Sequence, residues 1–371
     1  MGKILIANDF LTGGGVETVL RSLVRYLMTK GDRVWLMIPD CTQAEISELF
    51  PEGVKLYRPM RKLKECKRLT IPWAVDRTLF VLGKALYTAR FKGQAFDAAI
   101  AFKEGYPMLA LAGLAARKKL AWLHTDYQYM HWTKGLFPSA EAEKACMMSF
   151  DKVVCVSHAV AESVKQAVGD SGNLCVRYNP IEWKKIREQA KEPCDLQKSA
   201  KGPLFVSVGR LAYPKNYEML IDVCHTLAPK YDFEVWIVGG GPDQEKLQAK
   251  IDAYGLTCVK LLGGKANPFP YLQQADGFIS TSLVESYGLA IQEALILGKP
   301  VIAMECPAVA ETLSTDFGIL VSTQQQLKEA MERFLSQKGV LAEYKRSIQE
   351  NYAVDGLEED RLGAIVELWE K

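Results

Sequence analysis

Short runs of apolar, β-branched residues alternate with stretches of helical periodicity along the whole chain. The runs predicted as strands in the first half are KILIA, RVWLMI, FDAAIAF, KLAWLH, KVVCVS and LCVRYN. Those in the second half are PLFVSVG, FEVWIVGG, VKLLGG, GFISTS, PVIAME and GILVS. Because strands that alternate with helices form right-handed β-α-β crossovers, the pattern predicts an α/β protein with two doubly wound parallel sheets.

Breaks in this pattern predict the domain boundaries. Residues 1–181 are expected to form one domain, and residues 203–354 a second. The polar stretch 182–202 contains no sheet-like run and is expected to be a short helix plus an interdomain linker. Residues 355–371 have the periodicity of an amphipathic helix, which could pack back on the first domain. Rossmann-like domains of this kind bind ligands at the carboxyl ends of their strands, so we expect these ends to face a cleft.

Composition places the chain among folded globular proteins. Its 371 residues are 49% hydrophobic and 24% charged, which excludes an intrinsically disordered chain. The longest apolar stretch, residues 108–116, is less than half the length of a membrane span. The nine cysteines include no C-x-x-C pair and are expected to be reduced thiols rather than disulfides or zinc ligands. Together these features predict a cytoplasmic protein.

Charge is distributed unevenly, although the formal net charge is only +2. Residues 1–180 carry 25 Lys and Arg against 17 Asp and Glu, and segment 58–92 alone contains 10 basic and 2 acidic residues. Part of that segment, residues 74–89, has apolar positions at the spacing of one helical face. A basic amphipathic helix within segment 58–92 is suited to contact with an anionic membrane surface. A solvated basic face on a core helix is the alternative, and nucleic-acid binding is not expected because no RNA or DNA motif is present.

Two common nucleotide-binding loops do not fit the sequence. A dinucleotide fingerprint, G-x-G-x-x-G, should follow a strand and open a helix. In the first half Thr18 occupies the position of the third glycine, and in the second half Gln244 does so. A Walker A loop is absent from the sequence as well. A dehydrogenase and a P-loop enzyme are therefore both disfavoured.

The second half instead contains a set of charged residues at predicted strand exits. Arg210 and Lys215 lie in VGRLAYPKN, where two cations are suited to a diphosphate. Glu285 and Glu293 begin and end ESYGLAIQE, and a helix is expected to start near Gly288. Amides at a helix start favour anions, whereas carboxylates favour sugar hydroxyls. The amides expected to point at an incoming anion are those of Tyr287, Gly288 and Leu289.

Together these motifs resemble the family-4 retaining glycosyltransferases of the GT-B fold, over nearly the whole chain. The second half supplies GRL-x-x-x-K-N and E-x7-E, which are quite specific as a pair at this separation. In the first half, GGGVET (13–18) is similar to the family's glycine loop and WLHTDY (122–127) to its strand-end histidine loop. YNPI (178–181) is similar to the segment that leads into the family's linker.

The resemblance implies a role for each matching residue. Arg210 and Lys215 would neutralise the diphosphate of a nucleotide sugar. Glu285 would bind hydroxyls of the transferred sugar, and His124 would lie near that sugar or its phosphate. The loop glycines would let the backbone approach the donor phosphate or the acceptor, and Glu293 would bind the ribose. The loop glycines meant here are Gly14 and Gly15. With Glu293, the residues at the expected helix start, Tyr287, Gly288 and Leu289, complete the set expected to bind the donor.

The chain departs from the family pattern at one loop. The family often has Gly-Gly-x-x-Glu after the strand PVIA, whereas this chain has CPAVAE (306–311), in which Glu311 alone matches. The absence of these two glycines bears on the backbone conformation of that loop and does not change the resemblance to the family. No D-x-D triplet occurs, which agrees with the metal-independent chemistry implied by a GT-B fold.

The activity implied is transfer of a hexose or N-acetylhexosamine from a nucleoside diphosphate sugar, most commonly a UDP-sugar, to an acceptor hydroxyl with retention. The setting implied is surface polysaccharide or glycolipid synthesis at the inner face of the cell membrane, with no cofactor besides the donor. A sugar-nucleotide epimerase and a non-catalytic nucleotide-sugar-binding subunit are the alternatives. A phosphorylase would need a pyridoxal-binding lysine context, which the sequence lacks.

Overall fold

The computed structural model describes most of the chain as two compact units. The first unit comprises residues 1–181 and 357–371, and the second comprises residues 182–356. Gly13 and the basic segment 58–92 lie outside the described residues. The described residues are 1–9, 11, 14–38, 41, 43–57, 95–199, 202–337 and 339–370.

Within its described residues, the first unit contains a seven-stranded sheet in which every pairing is parallel. The strands are β1 (Lys3–Ala7), β2 (Arg33–Met37), β3 (Lys55–Tyr57), β4 (Ala98–Ala101), β5 (Lys118–Leu123), β6 (Lys152–Cys155) and β7 (Leu174–Val176). Their order is β3-β2-β1-β4-β5-β6-β7, so the direction of winding changes between β1 and β4. At such a point a doubly wound sheet leaves a crevice beside the carboxyl ends of its strands.

Amphipathic helices cover the first sheet. Leu20, Leu23 and Leu27 of the first helix are fully buried, as expected from their spacing along one helical face. Serine side chains cap two of the later helices, because Ser139 accepts a hydrogen bond from the amide of Ala142 and Ser157 accepts one from Val160. The helices of this part of the chain are α1 (Gly15–Thr29), α2 (Gln43–Leu49), α3 (Tyr106–Leu111), α4 (Ala140–Met148) and α5 (His158–Val168).

The second unit repeats this architecture with a six-stranded parallel sheet in its described residues. The strands are β8 (Leu204–Val208), β9 (Glu234–Val238), β10 (Val259–Leu261), β11 (Gly277–Ser280), β12 (Val301–Met304) and β13 (Gly318–Val321). They are ordered β10-β9-β8-β11-β12-β13, which places the change of winding between β8 and β11. The predicted fold class, two doubly wound parallel α/β domains, is therefore confirmed.

Each face of the second sheet carries its own hydrophobic core. Successive residues of β8 alternate between them, since Phe205 packs in one cluster and Val206 in the other. Burial on both faces explains why these strands are nearly continuous apolar runs. The helices of this unit are α6 (Trp183–Gln189), α7 (Tyr217–Leu227), α8 (Gln244–Ala253), α9 (Phe269–Gln274), α10 (Leu289–Ile296), α11 (Pro307–Thr312), α12 (Gln324–Ser336) and α13 (Val340–Asn351).

The stretch 182–202, which the sequence predicts to be a linker, lies in the second unit. Helix α6 buries the apolar side chain of Ile186, although most of the neighbouring residues in the sequence are charged. The Asn267 side chain donates a hydrogen bond to the carbonyl oxygen of Gln189 at 2.9 Å, which ties the end of this helix to the same unit. Helix α6 lies in the stretch for which the sequence predicts a short helix, and its charged side chains are exposed.

The last helix, α14 (Glu359–Glu370), belongs to the first unit. It buries Ile365 and Trp369, and arginines from the main body of that unit bond to its backbone. Arg177 Nε donates to the carbonyl oxygen of Ala364 at 3.1 Å, and an Arg117 amino group donates to that of Trp369 at 3.2 Å. The bond to Trp369 O satisfies a main-chain acceptor in the last turn of the helix, where no intrahelical donor is available.

Candidate active site

Two predicted cations lie in the loop that follows β8, next to the change of winding. The loop is held by the β9 exit, because the Leu211 amide donates to Gly240 O and the Asp243 amide donates to Leu211 O, both at 3.0 Å. Arg210 is exposed, and its guanidinium makes no hydrogen bond or ion pair with any described residue. The fold therefore presents an uncompensated cation at the carboxyl edge of the second sheet.

The glycines of IVGGGP make this loop contact possible. A Cβ atom at Gly239 would lie 1.9 Å from Gly209 O, and one at Gly241 would lie 2.2 Å from Leu211 O. Gly239 also has a φ of +153°, a conformation that side chains disfavour. The glycine pattern that partly resembles a dinucleotide fingerprint is thus explained by the close approach of two strand-exit loops.

Lys215 and Glu285 are 70 positions apart in the chain and form an ion pair in the structure. Lys215 Nζ donates to Glu285 Oε1 at 2.5 Å, and the two side chains are 24% and 16% exposed. The β8 and β11 exit loops are also joined through the backbone, since the Thr281 hydroxyl donates to Lys215 O and the Leu283 amide donates to Pro214 O. Two residues that the sequence assigns to one site are therefore brought together.

Helix α10 begins where the sequence places an anion-binding helix start. Gly288 is its N-cap with a φ of +78°, and the helix runs from Leu289. The amides of Gly288 and Leu289 donate to no acceptor among the described residues. Tyr287 is a buried core side chain, and its carbonyl oxygen accepts a hydrogen bond from the Thr312 hydroxyl. Free amides at the positive end of a helix dipole attract an anion.

Glu293 lies on α10 and has an unusual environment for a carboxyl group. It is half-buried and makes no hydrogen bond with any described residue. Burial without a compensating donor raises its pKa from 4.5 to about 7. Hydroxyl donors from a ligand would therefore relieve a desolvation cost that the protein leaves uncompensated.

His124 follows β5 in the first unit and is buried. Its Nε2 is 3.0 Å from Phe102 O, and because a carbonyl can only accept, Nε2 carries the proton. Burial lowers the pKa of His124 to about 4, although the nearby Glu104 carboxylate acts in the opposite direction. The neutral ring thus keeps a lone pair on Nδ1, which makes no hydrogen bond with a described residue.

The glycine loop of the first unit leads into α1. Gly14 is the N-cap of that helix, and its amide donates to Glu17 Oε2 at 2.9 Å. Gly14 and Gly15 are both exposed, and Gly14 has a φ of −92°, which does not require glycine. Glu17 is buried and lies close enough to His124 to raise its pKa. The loop and the histidine therefore lie at the same edge of the first sheet.

Three residues that sequence inspection missed accompany His124. Glu104 is fully buried and accepts hydrogen bonds from the His124 amide at 2.9 Å and from Trp132 Nε1 at 3.0 Å. Lys103 forms an ion pair with Asp9 at 2.9 Å. Charged residues directly after β1 and β4 are the signal that could have revealed them, because the carboxyl ends of neighbouring parallel strands share one edge.

The loop that departs from the family pattern is helical. Cys306 is the N-cap of α11, and Glu311 lies in the last turn of that helix. The helix starts with Pro307, which suits a first helical position because it has no amide hydrogen to satisfy. Two glycines are therefore not needed here, since the chain enters a helix directly after β12.

Neither a metal site nor a membrane span was found in the part of the chain that the structure describes. No group of three or more His, Cys, Asp or Glu side chains there is arranged to hold a metal ion. No helix among those residues combines the length and apolar character needed to cross a bilayer.

Two protein-family models match adjacent parts of the chain. The model described as Glycosyltransferase Family 4 matches residues 13–184, and the model described as Glycosyl transferases group 1 matches residues 188–353. The boundary between the two matches falls close to residue 182, where the second unit begins. Each model thus corresponds to one of the two sheets.

Curated relatives are glycosyltransferases that match part of the chain. A stretch of 169 residues, 44% of this chain, is 30% identical to the N-acetylgalactosamine-N,N'-diacetylbacillosaminyl-diphospho-undecaprenol 4-alpha-N-acetylgalactosaminyltransferase of Campylobacter jejuni and covers 45% of it. An alignment 293 positions long shows 24% identity to alpha-monoglucosyldiacylglycerol synthase of Streptococcus pneumoniae and covers 70% of this chain and 66% of that protein. The chain thus matches less than two thirds of the length of either relative.

Solved structures share the fold over the full chain. Anabaena HepE in complex with UDP-glucose has a TM-score of 0.74 at 17% identity, with 99% of this chain and 100% of that chain covered. WaaG, a glycosyltransferase involved in lipopolysaccharide biosynthesis, has a TM-score of 0.69 at 13% identity, with coverages of 98% and 99%. At these identities the similarity establishes a common architecture.

The Lys215–Glu285 pair predicts that the two loop cations differ in their effect on stability. Lys215→Ala should lower the free energy of unfolding by about 1–3 kcal/mol, because it leaves a largely buried carboxylate without its donor. Arg210→Ala should change it by less than about 0.5 kcal/mol, because Arg210 is exposed and unpaired. Urea unfolding of both variants checks this, and equal stabilities would show that the ion pair contributes nothing in the free protein.

The unpaired carboxyl of Glu293 predicts that Glu293→Gln increases the free energy of unfolding relative to wild type in a pH-dependent manner. The wild type should lose stability as pH rises from 4.5 towards 7, because its folded state holds a proton that the unfolded state releases. The stability of the variant relative to wild type should therefore increase over this interval and level off above it. Thermal unfolding at a series of pH values measures the difference. Glu245→Gln, at an exposed position on α8, is the control, and a matching trend there would contradict the assignment.

Proposed function

Because the chain belongs to the family-4-type glycosyltransferases of the GT-B fold, we propose that it transfers a hexose or N-acetylhexosamine from a nucleoside diphosphate sugar to an acceptor hydroxyl. A UDP-sugar is the donor we propose, with retention of the anomeric configuration and no metal or other cofactor. The observation that carries the proposal is the unpaired Arg210 beside the Lys215–Glu285 pair and the open amides of α10.

These groups suit a leaving diphosphate. Negative charge grows on the diphosphate as the glycosidic bond breaks, and donors already in place stabilise it without reorganisation. Arg210 offers a planar fork of N–H groups and Lys215 a point charge, while the Gly288 and Leu289 amides add the helix dipole. We propose that the bound diphosphate takes over Lys215 from Glu285, which leaves the Glu285 carboxylate to accept hydrogen bonds from hydroxyls of the sugar.

The remaining carboxylate is proposed to bind the ribose. Glu293 is half-buried and has no donor among the described residues, so two adjacent ribose hydroxyls would supply the hydrogen bonds that it lacks. In the first unit, the Nδ1 lone pair of His124 is proposed to accept a hydrogen bond from a substrate hydroxyl, and Gly14 and Gly15 to allow close approach of the backbone. Tyr287 contributes its main chain, because its ring is buried.

The acceptor we propose is a lipid-linked glycan or glycolipid. The Campylobacter relative is named for a diphospho-undecaprenol substrate and the Streptococcus relative for a diacylglycerol product, and both names support this class. We further propose that the protein works at the inner face of the cell membrane through segment 58–92.

Transfer itself is tested with a panel of nucleotide sugars and lipid-linked acceptors. The wild type should release the nucleoside diphosphate in an acceptor-dependent manner, and Arg210→Ala should lower kcat/KM by about tenfold or more, since a charge-assisted contact contributes about 1.5–3 kcal/mol. Arg346→Ala is the matched control, because Arg346 is an exposed arginine of the same unit on α13. Conversion of the nucleotide sugar without acceptor would indicate an epimerase, and binding without turnover a non-catalytic subunit.

Membrane association is tested with vesicles. The protein should bind vesicles rich in anionic lipid at low salt and dissociate at high salt, because screening weakens attraction between surface charges. A variant with five cations of segment 58–92 changed to Ser should lose vesicle binding and keep nucleotide binding. Salt-insensitive binding, or none to anionic vesicles, would contradict the proposal. The five positions are Arg61, Lys62, Lys64, Lys67 and Arg68.

A further inference from the structure

Glu104 is a fully buried carboxyl group at the change of winding in the first sheet. One oxygen, Oε2, accepts the main-chain N–H of His124 at 2.9 Å. The other, Oε1, accepts the indole N–H of Trp132 at 3.0 Å and the hydroxyl of Thr125. Three donors from the segment that follows β5 therefore converge on one side chain that follows β4.

A carboxylate is the side chain that this arrangement requires. Its two oxygens accept from all three donors, whereas glutamine would turn an NH₂ group towards at least one of them. The backbone next to Glu104 is fitted to the same contact, since Gly105 has a φ of +83° and a Cβ there would lie 2.5 Å from the Trp132 ring. The site is therefore built around this carboxylate.

The imidazole of His124 is fixed by the same strand end. Its ring packs against Phe102 and Trp122, with centroids 5.2 and 6.0 Å away, and its Nε2–H donates to Phe102 O. Glu104 holds the main chain of His124, and Phe102 holds its ring nitrogen. Because these two hydrogen bonds fix the main chain and the ring, the lone pair of Nδ1 points in a single direction.

We propose that Glu104 is a positioning residue for the transferase reaction: by fixing the His124–Thr125 turn and Trp132, it orients Nδ1 of His124 towards a substrate hydroxyl. The proposal rests on the role proposed above for His124. Glu104 does not itself touch substrate, because it is fully buried and its oxygens are occupied by protein donors. An orientation held this way favours the reactive geometry more than it favours binding.

The chain offers a matched control in Glu143. This carboxyl is 1% exposed in the same unit and also accepts hydrogen bonds from three donors, all of them side chains. They are the Tyr127 hydroxyl at 3.0 Å, His131 Nε2 at 2.8 Å and the Thr133 hydroxyl at 2.7 Å. Glu143 makes no hydrogen bond with His124, so its loss should affect stability without altering the histidine.

The test compares Glu104→Gln with Glu143→Gln in the full-length protein. Both should lower the melting temperature. Glu104→Gln should in addition reduce kcat by about tenfold or more with donor KM nearly unchanged, and Glu143→Gln should leave kcat within about twofold. In ¹⁵N-correlated spectra of the imidazole, the wild type should show the Nε2–H tautomer of His124, and Glu104→Gln should shift or broaden that signal. Equal kcat losses in both variants, or an unchanged His124 signal, would overturn the proposal.

A milder pair of variants covers the case in which Glu104→Gln does not fold. Thr125→Val and Trp132→Phe each remove one donor and keep the carboxylate, and each should lower kcat and perturb the His124 signal to a smaller extent. No effect on either measurement would count against Glu104. If the wild type shows no transfer with any donor, the proposed function fails, whereas the imidazole spectra still decide whether Glu104 orients His124.

Discussion

The parallel pairing of β8 with β11 is the constraint on which the candidate site depends. It places two strand exits side by side, although the residues they carry are 70 positions apart in the chain. The Lys215–Glu285 ion pair and the Thr281 hydrogen bond to Lys215 O then lock the two exit loops together. The parallel pairing of β4 with β5 in the first sheet likewise brings Glu104 and His124 together at that sheet's carboxyl edge. In each unit, the parallel pairing of neighbouring strands thus brings the charged groups together at one edge of the sheet.

The two edges differ in how their polar groups are satisfied. In the first unit the buried carboxylate of Glu104 has all its donors supplied by the protein, which favours a rigid arrangement. In the second unit Arg210 and Glu293 have no partner among the described residues, and the α10 amides are open. Leaving the half-buried Glu293 carboxyl unsatisfied costs stability in the free protein and reserves its hydrogen-bonding capacity for a ligand. Stability and ligand binding are therefore opposed at Glu293.

Close packing between loops explains features that chemistry alone does not. Glycine is required at positions 239 and 241 because a Cβ atom there would collide with the backbone of the neighbouring loop. The same reasoning applies to Gly105, where the Trp132 ring occupies the space of a Cβ atom. The glycines in these loops are thus explained by tertiary contacts, whereas the charged residues nearby indicate the chemistry of the ligand.

The alternation of apolar runs and helical stretches by itself determined the fold class, because burial on both faces of a parallel sheet imposes that pattern locally. Resemblance to family motifs selected Arg210, Lys215, Glu285 and His124 as candidate site residues, and their roles stay predictions. Only the tertiary structure decided that Lys215 pairs with Glu285, that 182–202 belongs to the second unit, and that Glu104 holds the histidine turn. These facts depend on contacts between residues distant in the chain, and such contacts leave no periodic signal in the sequence.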